Sequence, residues 1–308
     1  MSFKFKDYKH EEDFTRIRDF LIHSYKKIGK PSNWTLERWN YAFFFIRDMF
    51  GITLQEWEKS IGIWEDEGGT IVSIVNAEGL NRGEAFFQLK PEDYDVLLLK
   101  EMFTFAEENL ILEDDDKYIL KLRIRDKDVS IEEIAKERGY FKNEKASETT
   151  SIISLDRDFS YPDLPEGYSI RSMADKNDVE KRTIVFAKAF GNYGTKDEVQ
   201  PSSYHELQKA IDYRKDLDIY IESPEGEFVS FCLIWYDEKN KIGILEPVGT
   251  DPDYRRKGFA KATNYEAIKR VKEEGAEKVY VGDGQQFYMS IGFKKQSVSN
   301  IWIKEIKK

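Results

Sequence analysis

The chain has 308 residues, 40% of them hydrophobic and 14% aromatic, with a formal net charge of −10 and a pI near 5.1. That length suits two domains, and the apolar content excludes a long disordered chain. The acidic balance lacks the basic stripe that nucleic acid demands, and a single cysteine, Cys232, excludes an internal disulfide and fits a reducing compartment.

The start, MSFKFKDYKHEED, has no basic segment followed by an apolar core and a small-residue cleavage site, so the expectation is a cytoplasmic protein. No stretch has the uncharged apolar length of a membrane span, and no membrane partner is expected. FKDYKHEEDFTRIRDFLIHSY reads as a strand, a polar turn and an amphipathic helix. WNYAFFFIRDMF follows, with Trp39, Ala42, Phe43, Ile46 and Phe50 at helical spacing, as a core or interdomain face. A homodimer contact is an alternative use of that face. IGIWEDEGGTIVSIV is a hairpin turning at Gly68, and EAFFQLKPEDY is a strand running into Pro91 and Tyr94. A helical pattern comes next, and later the pair Gly139-Tyr140.

DRDFSYPDLPEGYSI, with Pro162, Pro165 and Gly167, reads as a linker near the midpoint. Beyond it the same order returns. YSIRSMADKNDVEKRTIVFAKAF is a strand, turn and helix, IYIESPEGEFVSFCLIW a hairpin turning at Gly226, ILEPVGTDPDY a strand into proline and tyrosine, and Gly292-Phe293 the late pair. The offsets are 158 from Gly68 to Gly226, 161 from Pro91 to Pro252 and 153 from Gly139 to Gly292. Such near-constant spacing implies an internal duplication, although generic α/β halves could share part of it. Each copy runs strand, helices, strand meander, helix, strand, helix, strand, so the fold class is α/β with a mixed sheet in two tandem domains, 1–155 and 156–308.

In the second copy the strand Ile242–Thr250 ends at Pro252 and a helix begins near Phe259, with Gly275 as its stop. Gly258 and Ala260 remove bulk where the first-turn N–H groups of a helix lie bare, which makes an anion site; Arg255, Arg256 and Lys257 add countercharge. Taken alone, Arg-x-x-Gly-x-Ala is equally a solvated basic turn. Thirty residues beyond Gly258 stands Tyr288, followed by Gly292-Phe293.

EPVGTDPDYRRKGFAKA resembles the coenzyme A segment of the Gcn5-related N-acetyltransferases (GNAT), Arg/Gln-x-x-Gly-x-Gly/Ala, through Arg255, Gly258 and Ala260. QQFYMSIGF is similar to that family's Tyr-x-x-x-Gly-Phe motif, through Tyr288, Gly292 and Phe293. The resemblance covers about residues 166–308 well and 1–155 by shape alone. It implies two tandem GNAT-like domains and acetyl-CoA held by Val248, Gly249, Thr250, Arg255, Arg256, Lys257, Gly258, Phe259, Ala260 and Lys261, with main-chain bonds at Val248 and Thr250. It further implies transfer of the acetyl group to an amine of a small molecule or peptide, with Glu246 as base or substrate contact and Tyr288 as proton donor to the leaving thiolate or its hydrogen-bond partner. The first copy departs from the pattern. DVLLLKEMF has neither glycine nor cation where a phosphate should lie, Asp95 would repel one, and Ala135 stands where the tyrosine should be. That copy reads as a degenerate domain, an architectural buttress or a wall of the substrate cleft.

Three further readings remain. Cys232 lies mid-strand with no nearby histidine in sequence, so it reads as a buried apolar residue and not a nucleophile. His10, His23 and His205 show no ligand spacing, and no metal is expected. Tyr193 and Tyr204, in the pliant stretch after Gly191, could stack on an acceptor or simply pack against the surface. The alternative function is a non-catalytic acyl-CoA binding or sensing module, which needs the phosphate turn but neither Glu246 nor Tyr288.

Overall fold

The computed structural model describes residues 3–79, 83–90 and 95–308. Pro91 and Tyr94, on which part of the repeat rested, lie outside the described residues. In chain order the elements are β1 (Phe3–Asp7), α1 (His10–Ile28), α2 (Leu36–Tyr41), a π-helical turn (Ala42–Ile46), α3 (Arg47–Met49), α4 (Leu54–Lys59), β2 (Ile61–Asp66), β3 (Ile71–Asn76), β4 (Glu84–Leu89), α5 (Val96–Asn109), β5 (Leu112–Asp114), β6 (Lys117–Arg125), α6 (Val129–Glu137) and β7 (Phe141–Ser154). Then follow β8 (Ser169–Ser172), α7 (Val179–Phe190), α8 (Pro201–Leu207), β9 (Asp218–Glu222), β10 (Phe228–Asp237), β11 (Ile242–Thr250), α9 (Phe259–Glu273), β12 (Lys278–Val281), α10 (Gln286–Ser290) and β13 (Lys294–Lys307). Among the described residues no helix is long and apolar enough to cross a membrane.

These elements form two compact units of interleaved segments. The first comprises Met1–Ala42, Phe50–Thr149 and Ser297–Lys308; the second comprises Phe43–Met49 and Thr150–Gln296. In the first, β1, β2, β3 and β4 form an antiparallel meander, β4 meets β6 in parallel at Glu84–Lys121, and Ser299–Lys307 of β13 run antiparallel to β6. The second repeats the plan: β8, β9, β10 and β11 alternate in direction, β12 joins β11 in parallel, and Ser151–Ser154 of β7 pair antiparallel with β12. A parallel step in an otherwise antiparallel sheet needs a crossover, supplied by α5 in one unit and α9 in the other.

Hydrogen bonds reproduce the repeat below the level of elements. The N–H of Tyr140 donates to the Ala135 carbonyl at 2.9 Å, and that of Phe293 to the Tyr288 carbonyl at 3.0 Å, so Ala135 occupies the structural position of Tyr288. At the hairpins the equivalent glycines are Gly69 and Gly226, both left-handed at φ 77° and 82°. Each donates its N–H three residues back, to Asp66 and Ser223. The expected match of Gly68 to Gly226 is therefore one residue off, because Gly68 instead donates to the Asp66 side chain. In both units a cation of the first helix bonds that glycine's carbonyl, Arg16 at 2.8 Å and Lys181 at 2.7 Å.

The core of the first unit packs α5, through Leu99, Met102 and Phe103, on Leu120 and Leu122 of β6 and on Trp302. That of the second packs α9, through Ile268 and Val271, on Ile234, Leu245 and Val279. Each such aliphatic side chain contributes about 1.5–3 kcal/mol by leaving water. WNYAFFFIRDMF is not one regular helix. The π turn inserts a residue into the spacing, so Phe45 is fully buried and Phe50 is 49% exposed, whereas Trp39, Ala42, Phe43 and Ile46 are buried as their spacing predicts. Within the second unit Phe45 meets Phe186 and Tyr204 edge to face at 5.3 Å, which makes this segment core.

Candidate functional site

The site begins where two strands part. β12 pairs with β11 only over Ile242–Leu245, and residues 246–250 of β11 run on beyond it. Against β10 the register slips by one residue between Ile234↔Leu245 and Cys232↔Val248, a bulge that places Glu246 and Pro247 opposite Leu233. Past the bulge the Asp251 N–H donates to the Val229 carbonyl at 3.0 Å, so Asp251 faces β10. Alternation along an antiparallel pair then turns the N–H and C=O of Val248 and Thr250 to the opposite side, into the gap left by β12. Gly249 keeps that strand close to the sheet's helical layer. A Cβ built there would lie 2.5 Å from Phe231 Cζ and 2.8 Å from Ala189 Cβ. Gly249→Val should therefore lower stability by about 1–3 kcal/mol through overpacking, measured as a fall in thermal midpoint with acetyl-CoA absent.

Beyond Thr250 the chain turns under local restraints. The Asp251 carboxylate accepts from the Asp253 N–H at 3.0 Å and from Lys188 Nζ at 3.0 Å. Gly258, at φ 82°, is the N-cap of α9 and supplies no side chain to its first turn. The first helical bond there is from Ala262 N–H to the Gly258 carbonyl, so the N–H groups of Phe259, Ala260 and Lys261 have no intrahelical acceptor. The corresponding helix of the first unit is closed by its own carboxylate: Asp95 caps α5 and accepts from the Leu97 N–H at 2.8 Å. An incoming anion would meet open dipoles at α9 and a fixed negative charge at α5.

The three expected cations have different surroundings. Arg255 bonds the carbonyls of Thr250 and Ala189 at 3.3 and 3.1 Å, which ties the turn to the end of α7 and restrains that charge. Arg256 is exposed, and Lys257 lies over the Tyr254 ring at 4.9 Å.

A cleft of about 590 Å³ joins these parts. Its walls include Val248, Gly249, Thr250, Arg255, Arg256, Gly258, Phe259, Ala260 and Lys261 from the strand and turn, and Tyr288 from α10. Lys257 and Glu246 are not on that wall. Ala189, Phe190, Tyr254, Gln285 and Phe287 are, and only proximity in the fold reveals them. Tyr288 is buried, and burial, with the carboxylates of Glu246 and Asp283 adding to it, pushes its hydroxyl well above the ordinary tyrosine range. It stays protonated. Glu246 is half-buried at the bulge, its carbonyl accepts from Trp235 Nε1 at 2.7 Å, and its charge also raises Tyr204. Cys232 is fully buried, which pushes its thiol up and makes it a poor nucleophile.

Arg182 of α7 is fully buried although its residue type favours the surface. Its Nε donates to Asp218 at 2.9 Å, and the guanidinium lies 3.9 Å from the Phe231 ring and 4.7 Å from that of Tyr204. Tyr204 is core and not a free stacking surface, whereas Tyr193 is 52% exposed. Among the described residues no three of His, Cys, Asp or Glu converge as metal ligands.

Residues 186–293 match the family model described as Acetyltransferase (GNAT) family. A mycothiol acetyltransferase of Saccharomonospora viridis is 27% identical over 157 residues, which cover 47% of this chain and 51% of that protein. The match thus spans about half the length of that relative. The crystal structure of a GCN5-related N-acetyltransferase from Sphaerobacter thermophilus superposes with a TM-score of 0.65 at 18% identity, over 99% of this chain and 96% of that one. A tandem GNAT protein from the clavulanic acid biosynthesis pathway gives 0.66 at 11% identity, over 99% and 98%. At such identities the structural likeness speaks for the fold.

Proposed function

We propose, on the premise that this chain belongs to the GNAT superfamily and has its tandem fold, that residues 156–308 bind acetyl-CoA and pass its acetyl group directly to an amine of a small molecule or peptide. The observation that carries the reading is the single cleft in which the bare N-terminus of α9, the outward main chain of Val248 and Thr250, and Tyr288 face one another. These groups fit the cosubstrate. Phosphates suit the first-turn N–H groups of α9, with Arg256 and Lys261 as countercharge, and secondary amides suit the main chain of Val248 and the N–H of Thr250, whose carbonyl Arg255 already holds. The cosubstrate supplies an activated acetyl thioester.

The residues of this chain then have separable tasks. Val248 N–H is the donor available to the carbonyl oxygen as negative charge grows on it. Tyr288, held neutral, donates a hydrogen bond toward the departing sulfur; its raised value makes full proton transfer the weaker contribution. Glu246, with its carboxylate near Tyr288 and Tyr204, serves the amine as proton acceptor or as a contact for its cation. The first domain, residues 1–155, has an architectural role, because Ala135 and Asp95 replace the groups a second active copy would need.

Acetyl-dependent thiol release across a panel of amines tests the assignment, with Tyr288→Phe as the diagnostic variant. The expected outcome is a kcat lower by at least about tenfold with acetyl-CoA affinity unchanged, and a wild-type rate profile with no alkaline loss from Tyr288 up to about pH 10. Acetyl-CoA binding with no turnover on any amine would assign a binding module instead.

A further inference from the structure

The first unit contains the same parting of strands, and it is filled from within. β4 pairs with β6 at Glu84 and Ala85 and then runs on with no strand partner on that side among the described residues. The Lys90 N–H donates to the Val72 carbonyl at 2.9 Å, as that of Asp251 does to Val229 in the second unit. Leu89 is therefore the counterpart of Thr250, and by alternation its N–H and C=O point away from β3 into the gap. There they meet one side chain. Asn33 Nδ2 donates to the Leu89 carbonyl at 2.8 Å, and the Leu89 N–H donates to Asn33 Oδ1 at 2.9 Å. The next residue is anchored too, since the Trp34 N–H donates to Gln88 Oε1 at 2.8 Å and the Trp34 ring packs on Phe86 at 4.9 Å.

We propose that Asn33 is an internal ligand of the first copy: its carboxamide takes both main-chain bonds that a secondary amide of an acyl-CoA would need, so the chain binds one acyl-CoA and not two. The inference extends the preceding reading to stoichiometry, yet the plug itself stands on the first unit alone. A carboxamide offers one donor and one acceptor in a plane, the same pair that a secondary amide presents to a strand edge. Held by the chain, it competes at an effective concentration that a free ligand does not reach. The Asp95 cap denies the same copy a phosphate site, so two separate features oppose a second cosubstrate.

Residue-resolved hydrogen exchange on the full chain tests the plug. The Leu89 amide should be protected in the wild type and should exchange about tenfold faster in Asn33→Ala, while the Thr250 amide, unplugged, becomes protected only when acetyl-CoA is added. Equal exchange of Leu89 in the two proteins overturns the proposal. Titration of wild-type protein with acetyl-CoA needs no variant to fold: one site per chain is expected, lost in Gly258→Glu, and two sites overturn the plug. A protected Leu89 with no acetyl-CoA binding at all leaves the plug standing and removes the transferase reading instead.

Discussion

Gly258→Glu is expected to weaken acetyl-CoA binding by at least about 100-fold, roughly 2.7 kcal/mol, without unfolding the second unit. Two effects add. Gly258 sits at φ 82°, where a residue with a Cβ is strained by about 1 kcal/mol, and the strained turn aims the first N–H groups of α9. The introduced carboxylate also occupies the positive end of the helix, supplying from the chain the negative charge that the phosphates would bring. Asp95 in the first copy is the natural form of that change, for its carboxylate already accepts from α5. A clash within the chain is not the cause, because a Cβ at Gly258 would come no nearer than 3.6 Å to Pro162. A carboxylate at a helix start is itself mildly stabilising, so the thermal midpoint should change by no more than a few degrees. Gly258→Ala separates the terms, since it keeps the strain and omits the charge; its loss should be intermediate. Calorimetric titration decides the matter, and a Gly258→Glu affinity within threefold of wild type removes the anion site from the argument.

The elements easiest to read in the sequence were those set by local chemistry. Both ends of β11, the start of α9 at Phe259 and its stop at Gly275 follow from a proline, a left-handed glycine and helical spacing within a few residues. The Gly-aromatic pairs were legible for the same reason. What escaped notice depends on partners far along the chain. Asn33 meets Leu89 across 56 positions and Arg182 meets Asp218 across 36, and neither residue type announces burial. The exchange of segments between units was equally silent, because Ser299–Lys307 has the pattern of any edge strand and only its pairing with β6 shows where it belongs. The π turn was hidden because a helical spacing drawn from Trp39 through Ile46 fits almost as well with one residue too many. In the cleft, the turn, Gly249 and Tyr288 were legible as motifs, but the closeness of Phe231 and Ala189 to Gly249, which leaves no room for a Cβ there, was not.

The buried pair behind that contact carries the largest expected stability effect. Arg182→Ala should cost the second unit about 3–5 kcal/mol, because it leaves the fully buried Asp218 carboxyl without its cation and, among the described residues, with Tyr213 as its one side-chain donor, at 2.9 Å. Packing loss adds to the charge loss, since the guanidinium fills the space between the Phe231 and Tyr204 rings. The intact pair is itself imperfectly satisfied, for Nη1 and Nη2 of Arg182 find no hydrogen-bond partner among the described residues. An apolar replacement of both partners should therefore restore much of what the single change removes. Arg182→Met combined with Asp218→Leu is the comparison, read as the unfolding midpoint in denaturant beside each single variant. Phe231 lies between this pair and Gly249, so the single variant should also loosen acetyl-CoA binding by several-fold while the double variant keeps it. If Arg182→Ala unfolds at the wild-type midpoint, the pair is not what holds Phe231 against the strand that lines the cleft.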